Sequence, residues 1–555
     1  MNRVWAVGSW VIAGLVGLPI IAVLWSLTGG GGESWPHLRD TVLADYTANT
    51  VLLALSVGCI TAIIGVAAAW TVATRDFPGR RILSWALVLP LAAPAYVVAY
   101  VYTDLLEFAG PVQRALRSLT GWAAGDYPFP AIRSLPGAAI VLGLVLYPYV
   151  YVLARTAFMT QASSLFEAAR VLGASRRRAF ARVALPAARP VVAGGVALTM
   201  MEAVADYGVV DYFGVSTFTT GIFRTWFALG DRIAALQLAA CLFVVAALLV
   251  FAEHAARRGR FSNPVARDVA APLIPIRGIR AAMASIGCAL PVILGFVVPV
   301  AVLVGHAVDV GDPLLGRGFG RFIVNSFGVA GATAVVALAL ALWLAHSQRV
   351  GRERFTGIAI RGATLGYALP GTVVAVGVLV PLAVVDRAVA RFAVTHLDLD
   401  LGLVLTGTVA ALVFACVVRF LTVAYNTCHG GLEKVHLLLD DAARTLGAGP
   451  RRVLRRVHVP LMRGAIASAL LLVFIDVMKE LPATLILRPF DFETLATRVY
   501  RLASDERLAE ASTAALVIVL VGVLPVVLLN LSAMRRRRTA SGADAACVGI
   551  GPSDG

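Results

Sequence analysis

Long apolar runs separated by short polar segments follow one another along the whole chain. Each run reaches or approaches the roughly 20 residues that an α-helix needs to cross about 30 Å of hydrocarbon. This pattern predicts about twelve membrane-spanning helices. The predicted spans are 4–27, 49–73, 82–106, 136–158, 190–213, 233–251, 281–304, 322–345, 358–385, 401–424, 464–487 and 508–531.

Composition agrees with this pattern. The chain is 59% hydrophobic and 14% charged, with a mean hydropathy of +0.83, which is more apolar surface than a water-soluble domain can bury. Prolines inside the runs are tolerated in a membrane bundle, because neighbouring helices can satisfy the backbone groups that a proline leaves free. The predicted fold class is therefore an all-α polytopic membrane protein.

The formal charge of +16 at pH 7 could indicate nucleic acid, but its distribution indicates membrane topology instead. Basic clusters follow only even-numbered spans, which is the bias typical of cytoplasmic loops. These clusters are Arg75/Arg80/Arg81, Arg257/Arg258/Arg260, Arg349/Arg352/Arg354 and 535–538. The prediction is that both termini are cytoplasmic, that the spans contact membrane lipid and that the chain binds no nucleic acid.

The first apolar run could instead be a secretory signal peptide, because Arg3 precedes it. It is longer than a signal core and lacks a clear cleavage site, so we predict that residues 1–27 are retained as the first span. The six cysteines show no paired or CxxC spacing. We therefore predict no disulfide framework, no metal site and no cofactor.

An internal duplication organises the chain. At a shift of 274 residues, segment 167–190 aligns with 441–464 without a gap and with 12 of 24 positions identical. Six spans per copy place both copies in the same orientation, as parallel repeats. The predicted divisions are a first repeat at 1–251, a cytoplasmic linker at 252–280, a second repeat at 281–534 and a basic, disordered cytoplasmic tail at 535–555.

Each duplicated segment lies between the fourth and fifth spans of its repeat and is predicted to form two short helices separated by a glycine. Gly173 and Gly447 are expected to end the first helix in the left-handed conformation. Pro186 and Pro460 are expected to end the second. Small and apolar residues recur at fixed spacing in these water-facing loops, which indicates a partner surface. The first helices of the two loops contain Glu167-Ala168-Ala169 and Asp441-Ala442-Ala443.

This pattern resembles the EAA loop of binding-protein-dependent ABC importers. The second copy departs mildly, with Asp441 in place of Glu and Val459 in place of Leu. The resemblance implies a type I ABC importer permease fold in a bacterial plasma (inner) membrane. It also implies a coupling helix on each loop that docks on an ATP-binding cassette ATPase subunit, with the two ATPases as a homodimer, and a periplasmic or lipoprotein substrate-binding protein as a further partner.

The chain has no Gly-x-x-x-x-Gly-Lys-Ser/Thr phosphate loop, so it is predicted to be no enzyme and to depend on ATP hydrolysis by partner subunits. Stretches 201–226 and 479–490 are similar to those of fused ferric-iron permeases, which implies iron as the cargo. The same fused layout occurs in thiamine and phosphonate importers, and these remain alternatives.

Five ionisable residues lie in or near the fifth and eleventh spans, where such side chains are costly and usually face a polar pathway. They are Glu202, Asp206, Asp476, Lys479 and Glu480. Helical spacing would place Asp476, Lys479 and Glu480 on one face of their helix. It would likewise place Glu202 and Asp206 on one face of theirs. Four carboxylates would suit a cation. In the alternative, Glu480 lies near the outer mouth and Lys479 pairs with Asp476.

Two other classes of membrane protein compete with the importer. A gradient-driven secondary transporter can also have twelve spans in parallel halves. The paired docking loops favour the ATP-driven importer, because a gradient-driven carrier has no need of them. A structural scaffold would not explain the carboxylates inside the membrane.

Overall fold

The computed structural model describes residues 2–28, 30, 32–123, 126–160, 169, 171–257, 273–316, 318–350, 354–364, 366, 369–399 and 404–527. Within these ranges the chain is almost entirely helical, which confirms the predicted fold class. The helices of the first half are α1 Asn2–Trp25, α2 Trp35–Thr41, α3 Leu43–Thr74, α4 Arg80–Ala86, α5 Ala95–Leu106, α6 Pro111–Thr120, α7 Leu135–Thr160, α8 Arg176–Ala179, α9 Leu185–Ala205, α10 Gly208–Tyr212, α11 Phe218–Phe223 and α12 Arg232–Arg257.

The second half repeats this order. Its helices are α13 Ile279–Val292, α14 Val298–Asp309, α15 Phe319–Val350, α16 Arg354–Ala363, α17 Gly371–Leu397, α18 Val409–Glu433, α19 Leu437–Thr445, α20 Pro450–Val453, α21 Val459–Leu461, α22 Arg463–Met478, α23 Pro482–Leu487, α24 Leu495–Ser504 and α25 Leu508–Val527. Two short strands, β1 Arg75–Asp76 and β2 Ile274–Pro275, pair in parallel and join the end of α3 to the linker.

Among the described residues, ten helices are long and apolar enough to cross a membrane, or twelve if each of two bent helix pairs counts as one span. The bent pairs are Arg80–Ala92 with Ala95–Thr120, at 91°, and Pro450–Leu461 with Arg463–Met478, at 80°. The prediction of about twelve spans is thus confirmed, but not every span is one straight helix.

Several predicted spans differ from the observed helices. The span at 82–106 is broken before α5, whose N-cap is Pro94, and the span at 358–385 is divided between α16 and α17, whose N-cap is Pro370. A proline has no N–H to donate and disfavours helical backbone in the residue before it, so it suits a helix start better than a helix interior. Hydropathy registers neither break, because both sides are apolar.

The second loop helices also differ from expectation. Pro186 does not end a helix; a π-helical turn at Phe180–Ala184 carries the chain from α8 directly into α9. The wider turn accommodates the proline near the start of the long helix, where its missing N–H costs little. In the second copy a matching π turn at Leu454–His458 precedes Pro460, and the 80° bend follows α21.

The internal repeat is visible in matching polar contacts. The amide of Asn49 donates to the carbonyl of Ser216, and that of Asn325 donates to the carbonyl of Glu493, each at 2.9 Å. Capping boxes at Thr217 and Thr494 begin α11 and α24 in the same way. The two halves therefore reproduce one structure down to individual helix starts.

The first helix of each half packs against the other half. On α1, the hydroxyl of Ser9 donates to that of Ser347 on α15 at 2.9 Å. In the second half, the turn between α13 and α14 accepts at the carbonyl of Leu294 from the Tyr102 hydroxyl, at 2.6 Å. The two repeats consequently interlock, and neither first helix packs mainly within its own repeat.

Close packing of α3 on α7 depends on Gly65. A Cβ atom there would lie 2.7 Å from the Cβ of Val150 and 3.0 Å from the nitrogen of Tyr151. Small residues let membrane helices approach each other closely. We expect Gly65→Leu to lower the free energy of unfolding by about 1–3 kcal/mol through overpacking, measured as the shift of the unfolding midpoint in nanodiscs.

The matched control is Gly331→Leu on α15, because no atom lies within 4 Å of a Cβ built there. This variant should unfold at the wild-type midpoint. Equal midpoints for the two leucine variants would contradict the assignment of Gly65 to a packed helix interface.

Candidate functional site

A cavity of about 150 Å³ lies where broken helices of the two halves meet. All five ionisable residues predicted from the sequence line it. Its polar wall also includes residues that the sequence interpretation did not select. The charged and phenolic lining residues are Glu202, Asp206, Asp476, Lys479, Glu480, Arg419, Tyr96, Tyr149 and Tyr207.

Chain breaks bring Asp206 and Glu480 to the cavity, whereas Glu202 and Asp476 reach it from α9 and α22. Helix α9 ends at Ala205, and the Asp206 carboxylate then accepts from the nitrogens of Val209 and Val210, at 2.9 and 3.3 Å, at the start of α10. The expectation that Glu202 and Asp206 share one helix face is therefore wrong. A carboxylate that caps the next helix satisfies N–H groups that would otherwise have no partner.

In the second half a carboxylate likewise caps the helix that follows a chain break. Helix α22 ends at Met478, and the Glu480 carboxylate accepts from the nitrogen of Ala483 at 3.1 Å in the first turn of α23. Glu480 corresponds to Asp206 at the repeat shift of 274 residues. Its residue exposure is 5%, so it lies buried in the cavity wall.

Arg419 is the main residue that sequence interpretation missed. It donates from Nη1 to the Glu480 carboxylate, and its Nη2 lies 3.9 Å from Oε2 of Glu202 in the other half. The available signal was a lone arginine inside the predicted span 401–424, where a charged side chain is expected to have a buried partner.

Lys479 links the same wall to the broken span of the first half. Its ammonium group donates to the carbonyl of Leu91 at 2.6 Å, just before the break at Pro94. The alternative in which Lys479 simply pairs with Asp476 therefore does not describe its closest contact. Lys479 instead holds α22 against the opposite half.

Four carboxylates and two basic groups line the cavity, which gives a formal charge of −2 if all are ionised. Among the described residues, no group of three or more His, Cys, Asp or Glu side chains is arranged to hold a metal ion. The Tyr96 hydroxyl is buried and has no hydrogen-bond partner within the part of the chain that the structure describes. The cavity thus offers a negative field with a polar lining and no tight coordination cage.

The two duplicated loops end their first helices with the same backbone geometry. Gly173 and Gly447 have φ of +84° and +75°. The nitrogen of Ala448 donates to the carbonyl of Ala443 at 2.9 Å, and that of Ala174 to the carbonyl of Ala169 at 3.0 Å, which is the pattern of a Schellman motif. The predicted left-handed glycines are confirmed.

A leucine precedes each of these glycines and is almost fully exposed. Leu172 is 86% and Leu446 is 85% exposed. The two loops therefore hold equivalent leucines outward at the same point of the turn. Of the predicted docking residues, Glu167 and Ala168 lie outside the described residues, whereas Asp441, Ala442 and Ala443 lie on α19.

Comparison with known families decides the assignment. The profile of the family described as "Binding-protein-dependent transport system inner membrane component" matches residues 49–258 and 337–538, once in each repeat. The chain belongs to this family. It is thus a multi-pass inner-membrane permease of the ABC importer type, in which two permease repeats are fused.

One of the relatives below aligns with almost the whole chain, and the other two align with about a third of it. The permease is 25% identical over 527 residues to the Fe(3+)-transport system permease protein FbpB 2 of Haemophilus influenzae, covering 93% of this chain and 96% of that protein. It is 33% identical to the sulfate transport system permease protein CysW of Escherichia coli K12, over 31% of this chain and 57% of the relative. The molybdate/tungstate permease WtpB of Thermococcus kodakarensis is 25% identical, over 37% of this chain and 74% of the relative.

The second loop of the permease is attached through a polar cluster, Arg349, Asp440, His458 and His346. Arg349 donates to Asp440 at 2.6 Å and to the carbonyls of Leu432 and Val435 at 2.6 and 2.7 Å. Nε2 of His458 lies 2.8 Å from Asp440, and the facing Nδ1 atoms of His458 and His346 are 3.2 Å apart. Arg349 therefore joins the end of α18 to the start of α19.

The equivalent place in the first half holds an aromatic cluster, Trp70, Phe158 and Phe180. The Trp70 ring centroid lies 5.2 Å from that of Phe158 and 4.6 Å from that of Phe180. At the repeat shifts, Trp70 corresponds to His346 and Ala184 to His458. The two loops have the same tips, each a left-handed glycine preceded by an exposed leucine. They are attached to the membrane helices by different contacts, aromatic in the first half and polar in the second.

Proposed function

We propose that this permease imports ferric iron delivered by an external substrate-binding protein, and that two ATPase subunits docked on the paired loops drive it. The observation that carries the cargo assignment is the formal charge of −2 on a cavity lined by four carboxylates. Such a lining attracts a cation and repels an oxoanion such as sulfate. The alignment with an iron permease over 93% of the chain points the same way.

The proposed orientation has both termini and both loops in the cytoplasm. Basic clusters at Arg75, Arg80 and Arg81 and at Arg349 lie on the side of the duplicated loops, as the positive-inside bias requires. The exposed pair Leu172 and Leu446 then faces the ATPases. Hydrolysis of ATP by these subunits supplies the energy, since this chain has no phosphate loop of its own. A homodimer of ATPases fits two tips of equal geometry.

Sulfate or molybdate is the second candidate cargo, because Arg419 and Lys479 reach the same cavity and relatives carry those names. Both basic groups already have partners, Glu480 and the Leu91 carbonyl. An oxoanion would have to compete with these contacts inside a cavity of net negative charge. This arrangement favours the cation.

Uptake by the complete importer tests the proposal. Proteoliposomes with permease, ATPase and iron-loaded binding protein should accumulate radiolabelled ferric iron when ATP is supplied, and excess thiamine, phosphonate, sulfate or molybdate should not compete. Iron uptake that is absent, or that an ion gradient drives without ATP, would overturn the proposal.

Charge removal in the cavity provides the site-specific arm of this test. Asp206→Asn keeps an oxygen to cap α10 but removes one negative charge, so we expect iron uptake to fall by about tenfold while ATPase docking is retained. The matched control is Asp491→Asn on the surface, where the carboxylate is exposed and pairs with Arg321. Uptake in this control should equal the wild-type value.

A further inference from the structure

Arg419 lies between carboxylates that come from both halves of the permease. Its guanidinium contacts Glu480 of its own half and approaches Glu202 of the other half to 3.9 Å. The arginine side chain is 11% exposed and Glu480 is 4% exposed, so this ion pair is shielded from water. A bound cation that bridged the two halves would occupy the same place and meet the same carboxylates.

We propose that Arg419 is a built-in counter-cation, which occupies the cargo position in the empty cavity and is displaced when a multivalent cation enters. The inference rests on the proposed function, since it requires a cationic cargo. It assigns to Arg419 a role in specificity: the side chain excludes weakly charged ions and yields to a more highly charged ion.

The fold does not demand this arginine. At the repeat shift of 274 residues, the position of Arg419 in α18 corresponds to Val145 in α7, and Val145 lines the same cavity. One half therefore supplies a positive charge where the other supplies an apolar wall. A residue needed only to pack the repeat would be expected in both.

The surroundings leave room for the ion pair. A Cβ atom on Gly371 would lie 2.5 Å from both Nη1 of Arg419 and Oε1 of Glu480, so only glycine leaves that space open. The ring of Phe420 lies 5.2 Å from the guanidinium carbon, so the ion-paired arginine also has an aromatic face beside it.

Charge decides which ions can compete. A monovalent ion that replaces the guanidinium gains no more Coulomb energy from Glu480 and Glu202 than the arginine already has, and it must also lose its water. A trivalent ion gains about three times as much from each carboxylate at equal distance. The trivalent ion also has a larger cost of losing water, so the internal competitor selects for high charge only where the attraction of the cavity carboxylates exceeds that cost.

Binding of terbium(III) tests the proposal without the native cargo. This ion is a hard trivalent probe for oxygen ligands, and nearby tyrosines such as Tyr96 and Tyr207 sensitise its emission. In the permease–ATPase complex in nanodiscs without binding protein, Arg419→Gln should bind terbium at least about tenfold more tightly than wild type. Arg419→Lys, which keeps the charge, should stay near the wild-type affinity.

The double variant Arg419→Gln with Glu480→Gln separates occupancy from net charge. It leaves the formal charge of the cavity at −2 and removes both members of the Arg419–Glu480 pair together, so it protects against a folding failure of the single variant. We expect it to bind terbium about threefold or more tightly than wild type, because the position is vacant. The gain in either variant should disappear when Glu202→Gln is added, which locates the probe.

Two results would overturn the inference. One is a double variant that assembles with its ATPase yet binds terbium no more tightly than wild type. The other is wild-type affinity for sulfate or molybdate that Arg419→Gln abolishes, since the arginine would then be an anion ligand. Failure of the proposed function is a different result, namely no ATP-driven ferric uptake by the wild-type importer.

Discussion

Replacement of both loop glycines, Gly173→Val together with Gly447→Val, should abolish ATP-driven uptake while the membrane helices stay folded. Both glycines have left-handed backbone, and a Cβ at either position would meet no atom within 4 Å. The cost is therefore backbone strain, about 1–2 kcal/mol for each site. Strain of this size changes each loop equilibrium by roughly five- to thirtyfold, and it acts where Leu172 and Leu446 are presented.

The measurement is co-purification of the ATPase and uptake in proteoliposomes. Gly464→Val is the matched control, because Gly464 lies in α22 with no positive φ and no atom near its Cβ. Asparagine at both positions should retain coupling, since it tolerates left-handed backbone. A double valine variant that still binds ATPase and transports would refute the docking role of the loops.

Loss of Arg349 should release the second loop from the membrane helices. Arg349 and Asp440 have side-chain exposures of 9% and 5%, so Arg349→Ala leaves a buried carboxylate without its arginine, with His458 still in contact, and two carbonyls without their donor. Breaking such a pair costs about 3–5 kcal/mol. We expect a large fall in the unfolding midpoint and loss of ATPase binding at the second loop.

Arg39→Ala is the comparison, because its ion pair with Asp40 is exposed and should not affect the midpoint. Trp70→Ala should weaken the first loop in turn, because it removes the central ring of the aromatic cluster. If Arg349→Ala has the wild-type unfolding midpoint and binds the ATPase as wild type does, the polar cluster does not attach the loop.

The contribution of the polar cluster to stability also depends on pH, and the sign follows from the pKa of Asp440. Burial alone raises the pKa of Asp440, but hydrogen bonds from Arg349 and His458 outweigh it and hold that pKa below its ordinary value. Stability from this carboxylate is therefore fully present above its unfolded pKa of about 3.9 and is lost as the pH falls through the folded value. The difference in unfolding midpoint between wild type and Asp440→Asn should stay constant at neutral pH and shrink below about pH 4. A difference that grows on acidification would contradict this assignment.

The sequence was sufficient for the fold class, the repeat and the loops, because each depends on a local pattern. Apolar length predicts spans, and the glycine four residues after Ala169 or Ala443 predicts a helix end. Chain breaks at Asp206 and Glu480 were not predicted, since an acidic residue that caps a new helix looks the same in sequence as one on a continuous helix. Only the prolines at 94 and 370 gave warning of the other breaks.

The candidate site was predicted in its acidic part and missed in its basic part. Spacing relates Asp476 to Glu480, but the partner of Glu480 is 61 residues away in sequence, at Arg419. The polar cluster is likewise built across long separations, with Arg349 and Asp440 91 residues apart. Arg349 was interpreted as one of a basic group at a loop, and its burial depends on packing that no local pattern encodes.

The exchange of first helices has a consequence for how the protein is made. Ser9 on α1 is synthesised well before its hydrogen-bond partner Ser347, which lies 338 residues later in the chain. At about 5–20 residues per second, translation of that interval takes roughly 20–70 s. During this time α1 lacks its final neighbours, so the order in which the helices are made becomes part of the folding of this permease.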